Sequence, residues 1–269
     1  MKRRIIHVLA VSALLFCASL SRAETSCLLL EDAASAKILK QEGAVCDQRI
    51  TPASTFKLAL ALMGYDAGYL VDEHLPRLPF HEGYADWMPN WKQPVDPAAW
   101  LRDSVVWYSQ RLTEWLGMER FQRYAGAFHY GNADVSGDKG KNNGLTRAWL
   151  SSSLRISPLE QAAFLRKLAR CELPVSARAF DMTERIGDMG VSVSGWRIHG
   201  KTGSGNAIKA DGAPDADRKV GWFVGWARKD ERTLVFVYAM HDEKREESYA
   251  GLRAKAALMA RLPALLEGR

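Results

Sequence analysis

The sequence predicts an α+β fold in which an antiparallel sheet, flanked by terminal helices, joins a mostly helical lobe. Between residues 54 and 186, apolar residues recur every three to four positions, which is typical of helices packed on a core. From residue 194 onward, stretches rich in valine, isoleucine and aromatic residues are separated by glycine or charged turns, which is typical of antiparallel strands. Because the two kinds of element occupy separate parts of the chain, an α+β arrangement is favoured.

The predicted elements begin with a hairpin and continue with helices. Two short strands, at residues 27–30 and 37–40, are joined by a turn of small residues. Helical spacing of apolar residues then covers residues 54–66, 104–117, 118–127, 158–171 and 176–186. The fourth of these helices has a well-marked start, because Ser157 can cap it, Pro158 suits its first turn and Glu160 can bond back to the cap.

The remaining elements are three strands and a final helix. The strands are predicted at residues 194–201, 219–227 and 232–240. Residues 205–218 are predicted to form an exposed hairpin connection, and a helical period returns over residues 246–262. We therefore predict one catalytic domain with these parts: a sheet lobe at about 24–50 and 190–269, and a helical lobe at about 51–189.

Residues 1–23 have the three parts of a cleavable secretory signal peptide. Basic residues at positions 2–4 precede an apolar stretch over 5–20, and a small-residue exit follows. A membrane anchor is the alternative, but the apolar stretch is short for a bilayer and contains His7. The sequence thus predicts an exported, periplasmic protein that has no stable membrane anchor and begins near Glu24.

Composition and charge restrict the classes of partner. A hydrophobic content of 47% in 269 residues is typical of a globular protein rather than a disordered one. The net charge of +6 overstates the basicity of the mature protein, because the signal carries four basic residues and no acidic one. The remainder holds 33 basic and 31 acidic side chains, a net charge of +2. No nucleic-acid partner is predicted, and the sequence fixes no oligomeric state.

The cysteines indicate a possible disulfide and no metal site. Cys27 and Cys46 flank the predicted hairpin, and in an oxidising compartment they form either a disulfide or two buried thiols. Cys171 stands alone and is predicted to be an inert thiol. Because the chain has no C-x-x-C pair and no cluster of cysteine with histidine, no metal is expected.

The segment Ser54-Thr55-Phe56-Lys57 places a hydroxyl and an amine three positions apart at a helix start. At this spacing the two side chains lie on one helix face within mutual reach. A serine hydroxyl is a poor nucleophile until a base removes its proton, so the pair predicts a nucleophile at Ser54 and a base at Lys57. The pattern alone is weak, because a surface helix cap followed by a solvated lysine fits it equally well.

Three further motifs strengthen this interpretation. Ser104-Val105-Val106 opens a predicted helix, Tyr130-Gly131-Asn132 lies in a glycine-rich turn, and Lys201-Thr202-Gly203 follows a predicted strand. Singly, they are explained by a helix cap, a tight turn and the charge of an edge strand. Together with the first motif, in this order and at these separations, they resemble the penicillin-recognising serine enzymes.

The middle motifs indicate the class within that group. Class A enzymes and many penicillin-binding proteins have S-D-N or S-x-N where this chain has Ser104-Val105-Val106. That S-x-V, with Tyr130-Gly131-Asn132 and Trp149, resembles the class D β-lactamases, or oxacillinases. The resemblance extends over the whole mature chain, including Gly221 to Trp226. It implies hydrolysis of the β-lactam ring of penicillin-type antibiotics.

The resemblance implies four catalytic residues. Ser54 attacks the lactam carbonyl and becomes acylated, while Lys57 is the general base for acylation and deacylation. A lysine must be buried to shed its charge at neutral pH, and in this family the neutral amine adds carbon dioxide to form a carbamate (N6-carboxylysine). Ser104 relays a proton to the lactam nitrogen, and Lys201 holds that hydroxyl and the substrate carboxylate. Carbon dioxide or bicarbonate is needed, and no other cofactor is implied.

The resemblance also implies a set of substrate-binding residues, namely Val106, Trp149, Thr202, Ser204 and Arg253. Val106 supplies an apolar wall beside Lys57, and the Trp149 indole steadies the carbamate, although a core tryptophan is the structural alternative. Backbone N–H groups of Ser54 and Ser204 form the oxyanion hole. Thr202 and Arg253 bind the substrate carboxylate, and a solvated helix face is the alternative for Arg253.

Other functions compete with this interpretation. Gly195 to Thr202 matches the pattern of a phosphate-binding loop, which must open a helix. The histidines show no zinc-hydrolase motif. The chain also lacks the G-x-S-x-G elbow that holds the serine of a histidine-based triad. The remaining alternatives share the fold: a penicillin-binding transpeptidase, or a β-lactam sensor domain that acylates without efficient turnover. Measured turnover separates these two from a hydrolase.

Overall fold

The computed structural model describes residues 25–209 and 211–267, and in this part six strands form one antiparallel sheet. They are β1 (Ser26–Asp32), β2 (Ile38–Glu42), β3 (Asp188–Val193), β4 (Trp196–Ile208), β5 (Pro214–Lys229) and β6 (Arg232–His241). Their order across the sheet is β2-β1-β6-β5-β4-β3. The N-terminal hairpin therefore pairs with the last strand, and the predicted α+β fold is confirmed.

Seven α-helices are present in the described residues. They are α1 (Lys57–Asp66), α2 (Pro97–Arg102), α3 (Val106–Ala127), α4 (Gly144–Arg147), α5 (Pro158–Ala169), α6 (Ala177–Gly187) and α7 (Ala250–Leu266). A 3-10 turn at Ala53–Phe56 leads directly into α1. The predicted start of α5 is confirmed, because Ser157 and Glu160 form a reciprocal capping box there.

Successive side chains along each strand point to opposite sides of the sheet, and both sides are apolar. On β1, Leu29 belongs to the core shared with the helical lobe, whereas Leu28 and Leu30 belong to the core on the opposite face. Helix α7 covers that opposite face by packing on β4, β5 and β6. The helical lobe covers the first face, where α1 lies with every residue from Lys57 to Tyr65 buried. The start of α1 is thus held at the centre of the molecule.

Three predicted boundaries differ from the structure. Residues 205–218 are not a long exposed loop, because β4 continues to Ile208 and β5 starts at Pro214. The two helices predicted on either side of residue 117 form the single element α3, broken locally at Gly117 by a φ of 73°. Strand β3 was not predicted, because it is a short edge strand that follows α6 directly, and its three alternating apolar residues are too few to distinguish a strand from a turn.

Several predictions concern residues outside the described part of the chain. These are the signal peptide at residues 1–23 and the N-terminal member of the terminal helices predicted to flank the sheet. Over residues 25–209 and 211–267, no helix is long and apolar enough to cross a membrane.

A disulfide joins Cys27 on β1 to Cys46 after β2, and Cys171 carries a free, exposed thiol. The two bonded cysteines are 19 positions apart and both are buried. Closing a loop of this length restricts the unfolded chain, so replacing both with alanine is expected to lower the free energy of unfolding by about 3 kcal/mol. Urea denaturation measures this, with Cys171→Ser as the control. A loss as small as that of the control would contradict the prediction.

Candidate active site

The predicted nucleophile and base meet where the 3-10 turn enters α1. Ser54 lies in the turn, Lys57 is the first residue of α1, and the Lys57 Nζ donates a hydrogen bond to the Ser54 Oγ at 3.3 Å. Ala53, directly before the serine, has a φ of 48°, a backbone conformation that residues with a Cβ rarely adopt. Strain of this kind is concentrated at functional sites. The turn thus presents the hydroxyl and the amine to each other.

Burial changes the protonation chemistry of Lys57. Its side chain is completely buried, and desolvation is the main cause that lowers its pKa well below the ordinary value of 10.5. The nearby charge of Lys201 lowers the pKa further. The free amine, which can accept a proton, is therefore strongly favoured.

Trp149 and Val106 complete the surroundings of this part of the site. The Trp149 side chain is buried with its ring 6.0 Å from that of Phe56, and its indole N–H has no acceptor within the described chain. A buried donor without a partner is costly, which makes this N–H available to an acceptor group. Val106 starts α3 and is 2% exposed, so it presents an apolar surface to the cleft.

Ser104 and Lys201 form a second hydroxyl and amine pair although they are 97 positions apart. The Lys201 Nζ lies 2.5 Å from the Ser104 Oγ and also contacts the carbonyl and hydroxyl oxygens of Thr202 at 3.0 and 3.3 Å. Ser104 has a φ of 61°, in the left-handed region. The Trp91 indole N–H donates to the carbonyl oxygen of Asp103 at 3.0 Å, directly before this strained residue.

The charge of Lys201 is also weakened by burial. Its side chain is 4% exposed, and desolvation, followed by the charge of Lys255, lowers its pKa to about 7, while Asp103 acts in the opposite direction. Near neutral pH this amine is therefore close to half protonated. An anion bound beside it would restore its charge.

The Lys201-Thr202-Gly203 motif lies inside β4, against the 3-10 turn. A Cβ at Gly203 would lie 3.0 Å from the Pro52 carbonyl oxygen, so any larger residue would crowd the close approach of the strand to the turn. The Ser204 hydroxyl accepts a hydrogen bond from the Gly251 N–H at 2.8 Å, which ties β4 to the start of α7. Ser54, Ser104, Thr202 and Ser204 all line one cleft of about 220 Å³.

Comparison with known proteins identifies the chain. Residues 26–264 match the family model of the penicillin binding protein transpeptidase domain. β-Lactamase OXA-9 of Klebsiella pneumoniae is 41% identical, with 97% of each chain aligned. The crystal structure of the class D β-lactamase OXA-427 superposes with a TM-score of 0.86 at 51% identity, over 90% of this chain and 99% of that one. The chain belongs to the class D β-lactamases. β-Lactamase OXA-1 of Escherichia coli is a further relative, 36% identical over 85% of this chain and 80% of its own.

Membership of this family shows that the protein is a serine hydrolase that acts on β-lactams. The match to a phosphate-binding loop has no structural basis, because Gly200, Lys201 and Thr202 lie in the middle of β4 and open no helix. Tyr130, Gly131 and Asn132 are a turn, as predicted.

That turn holds a neighbouring segment of the β-lactamase in place. Asn132 donates from its side chain to the Ser153 carbonyl oxygen at 2.8 Å and accepts from the Arg155 N–H at 2.9 Å. A Cβ at Gly131 would come 2.0 Å from the Arg155 carbonyl oxygen. The Tyr130 hydroxyl donates to Gln161 on α5 at 3.0 Å. The motif therefore fixes the chain around Trp149 and presents no group to the cleft.

Arg253 does not line the cleft of this β-lactamase. Its guanidinium pairs with the buried carboxylate of Asp242 and bonds the Ser248 hydroxyl at 2.9 Å. A role in binding the substrate carboxylate stays a prediction, and the contacts seen here are those of a structural ion pair.

Sequence reasoning left the apolar rim of the cleft undetermined. Trp87, Met88, Trp91, Tyr249 and Leu252 line it, while Trp100 and Trp107 are fully buried. The Tyr249 hydroxyl contacts the Met88 sulfur at 3.1 Å, and the rings of Trp87 and Trp91 are 5.9 Å apart and tilted. Leu252 lies in the first turn of α7, and the others come from segments without a motif, so only the aromatic character of most of them could have indicated a site.

The protonation of Lys201 predicts an alkaline decline in activity. For a β-lactam that carries a carboxylate, kcat/KM is expected to fall as the pH rises above about 7, because the free protein then loses the Lys201 charge. The decline in kcat is expected at higher pH, because the bound carboxylate raises the pKa of Lys201. Steady-state pH profiles of both constants measure this, and coincident declines would contradict it. Recovery of activity on return to pH 7 controls for denaturation.

Proposed function

We propose that this class D β-lactamase opens penicillin-type β-lactams through a covalent acyl-enzyme at Ser54, with carbamylated Lys57 as general base. The observation that carries the proposal is the 3.3 Å contact between Lys57 Nζ and Ser54 Oγ. Lys57 is fully buried, where water cannot solvate an ammonium, so the amine favours its neutral form. A neutral amine beside a serine hydroxyl is the arrangement that activates a nucleophile.

The surroundings of Lys57 also suit a carbamate formed from carbon dioxide. The unpaired Trp149 N–H is a donor for its oxygens, and the apolar Val106 limits competing water. When present, the carbamate supplies an oxygen base in place of the amine. Lys57 and Trp149 are the residues that would hold it.

The remaining residues divide the reaction between them. The Ser54 Oγ gives its proton to the base at position 57 and attacks the lactam carbonyl carbon, which forms an ester and breaks the carbon–nitrogen bond. Ser104, held by Lys201, gives a proton to the departing nitrogen and recovers one from the protonated base at position 57, which frees that base. A water molecule then gives a proton to position 57 and attacks the ester carbonyl carbon, and that proton passes to the Ser54 Oγ as the ester bond breaks.

Two further interactions stabilise the substrate and the transition state. Backbone N–H groups of Ser54 and Ser204 bind the developing oxyanion, and each such donor contributes on the order of 10²–10³ in rate in comparable enzymes. Thr202 and Lys201 hold the ring carboxylate, with Arg253 as the further predicted contact. Thr202 and Ser204 line the same cleft as Ser54, which supports these assignments.

Mass spectrometry and turnover together test the proposal. After brief exposure to a penicillin, a peptide map is expected to place the adduct on Ser54, and a chromogenic cephalosporin is expected to be turned over many times per protein. A single stoichiometric burst would instead favour the transpeptidase or sensor interpretation. An adduct elsewhere would refute the nucleophile.

Bicarbonate tests the base. Activity lost at acid pH, where the amine is protonated and the carbamate dissociates, is expected to be restored by added bicarbonate. With ¹³C-labelled bicarbonate, a carbamate carbon signal is expected in the NMR spectrum of the resting protein and is absent from Lys57→Ala. Indifference of both readouts to bicarbonate would show that Lys57 works as a free amine.

We also propose that the protein acts outside the cytoplasm, in the periplasm. The basis is the signal-like sequence of residues 1–23. N-terminal sequencing of protein from the periplasmic fraction is expected to start near Glu24. An intact Met1 on the active protein would contradict export by cleavage.

A further inference from the structure

A second cavity, of about 380 Å³, adjoins the active-site cleft. It shares Arg102, Thr202 and Leu252 with the cleft, so the two spaces are continuous. Along β4 it begins where the cleft ends, because Ser204 lines only the cleft whereas Gly200 lines only the cavity. The cavity therefore continues the cleft on the side of Thr202 that faces away from the proposed oxyanion hole.

The charged residues in the lining of this cavity are mostly basic. It contains the cationic residues Arg102, Arg185, Lys201 and Lys255, and Asp188 is the one carboxylate in its lining. The Asp188 carboxylate is already occupied by Arg197, whose Nε donates to it at 2.9 Å. The cavity thus has an excess of positive charge that its own carboxylate does not neutralise.

Lys255 is the cation available to a ligand. Arg102 is paired with Asp103 at 2.8 Å and Arg185 with Asp181 at 3.1 Å. Within residues 25–209 and 211–267, by contrast, no carboxylate lies within 4 Å of the Lys255 ammonium, and its side chain is partly buried on α7. Lys255 and Lys201 both line this cavity, and the charge of Lys255 lowers the pKa of Lys201. An anion in the cavity would relieve the repulsion between these two charges.

The direction of the substrate along β4 identifies which group would reach the cavity. The proposed mechanism places the lactam carbonyl at Ser54 and Ser204 and the ring carboxylate at Thr202. In this orientation, the substituent that the β-lactam carries beside the ring carboxylate extends toward Gly200. We propose that the basic cavity is a subsite for a second anionic group, a carboxylate or sulfonate, carried beside the ring carboxylate of the substrate, with Lys255 as its main contact. This inference rests on the proposed function.

Matched cephalosporins test the subsite. Two compounds share one acylamino side chain and carry, beside the ring carboxylate, either a methyl group or a 2-carboxyethenyl group. The quantity measured is the ratio of kcat/KM for the anionic compound to that for the neutral one. Lys255→Gln is expected to lower this ratio about fivefold, the upper range for a partly exposed ion pair. Lys255→Glu is expected to lower it further, and Lys255→Arg to retain it.

Lys219→Gln is the control for a general loss of positive charge. Lys219 lies at the opposite end of the paired strands, where it bonds Asn206 at 2.7 Å. The ratio is expected to stay unchanged in this variant. The subsite would be overturned if the ratio were the same in the unaltered protein and in Lys255→Gln, or if it fell as much in Lys219→Gln as in Lys255→Gln. Hydrolysis of the neutral compound would still support the proposed function in either case. Failure of the unaltered protein to hydrolyse either compound would overturn the subsite, and failure to hydrolyse a penicillin as well would overturn the proposed function.

Discussion

Lys57→Met is expected to lose β-lactam turnover and to gain thermal stability. The loss of turnover is expected to be about 10²–10⁴-fold, the usual contribution of a general base. Stability is expected to rise because methionine fills a similar volume without an amine that must be desolvated. A group that lowers stability and raises rate is a functional group whose burial is maintained by selection for activity.

The pH dependence of this stability gain follows from the lowered pKa of Lys57. At neutral pH the unfolded chain binds a proton at Lys57 that the folded chain holds only weakly, so burial of the amine costs stability. This cost is fully present below the folded pKa and disappears as the pH rises past the ordinary value of 10.5. The gain in melting temperature for Lys57→Met is therefore expected to be largest in mildly acidic, bicarbonate-free buffer and to shrink toward high pH.

Calorimetry and steady-state kinetics on the same samples measure both effects. Lys37→Met, at an exposed lysine in the turn between β1 and β2, is the matched control and is expected to change neither property. A lower melting temperature together with normal turnover in Lys57→Met would contradict the assignment of the base. Lower values of both would indicate a structural lysine.

The first motif could be predicted because its geometry is local. Ser54 and Lys57 are three positions apart, and any helical turn brings such side chains together. Ser104 and Lys201 meet only because the whole fold brings the residues before α3 next to β4. The resemblance of the four motifs to a known family predicted that these two residues act together. The periodicity of the sequence alone carries no information about their pairing.

Other features could not be predicted for physical reasons. Strand β3 has only six residues and follows α6 directly, so its few alternating apolar residues are a weak signal, and its pairing to β4 decides its conformation. Residues 214–218 are rich in polar residues and predict a loop, yet they extend β5 through its pairing with β4. Arg253 is engaged by Asp242, a residue 11 positions away whose approach depends on how α7 docks on the sheet. In each case tertiary pairing decides the outcome.

Two replacements of Ser104 are expected to distinguish the contribution of its hydroxyl from that of its backbone conformation. The residue has a φ of 61°, and a residue with a Cβ pays about 1–2 kcal/mol in this conformation, whereas glycine does not. Ser104→Gly and Ser104→Ala both remove the Oγ that accepts from Lys201. We therefore expect both to reduce kcat/KM by about 10²–10⁴-fold through loss of the proton relay.

The two variants are expected to differ in stability instead of activity. Because they lose the same hydrogen bond, the difference in their free energies of unfolding reports the backbone strain, and Ser104→Gly is expected to be more stable than Ser104→Ala by about 1 kcal/mol. Urea denaturation and single-turnover kinetics measure the two quantities. Retained acylation in Ser104→Gly would show that the left-handed backbone conformation, and not the hydroxyl, is what the reaction requires at this position. Equal loss of acylation with unequal stability is the result that assigns the proton transfer to the Oγ.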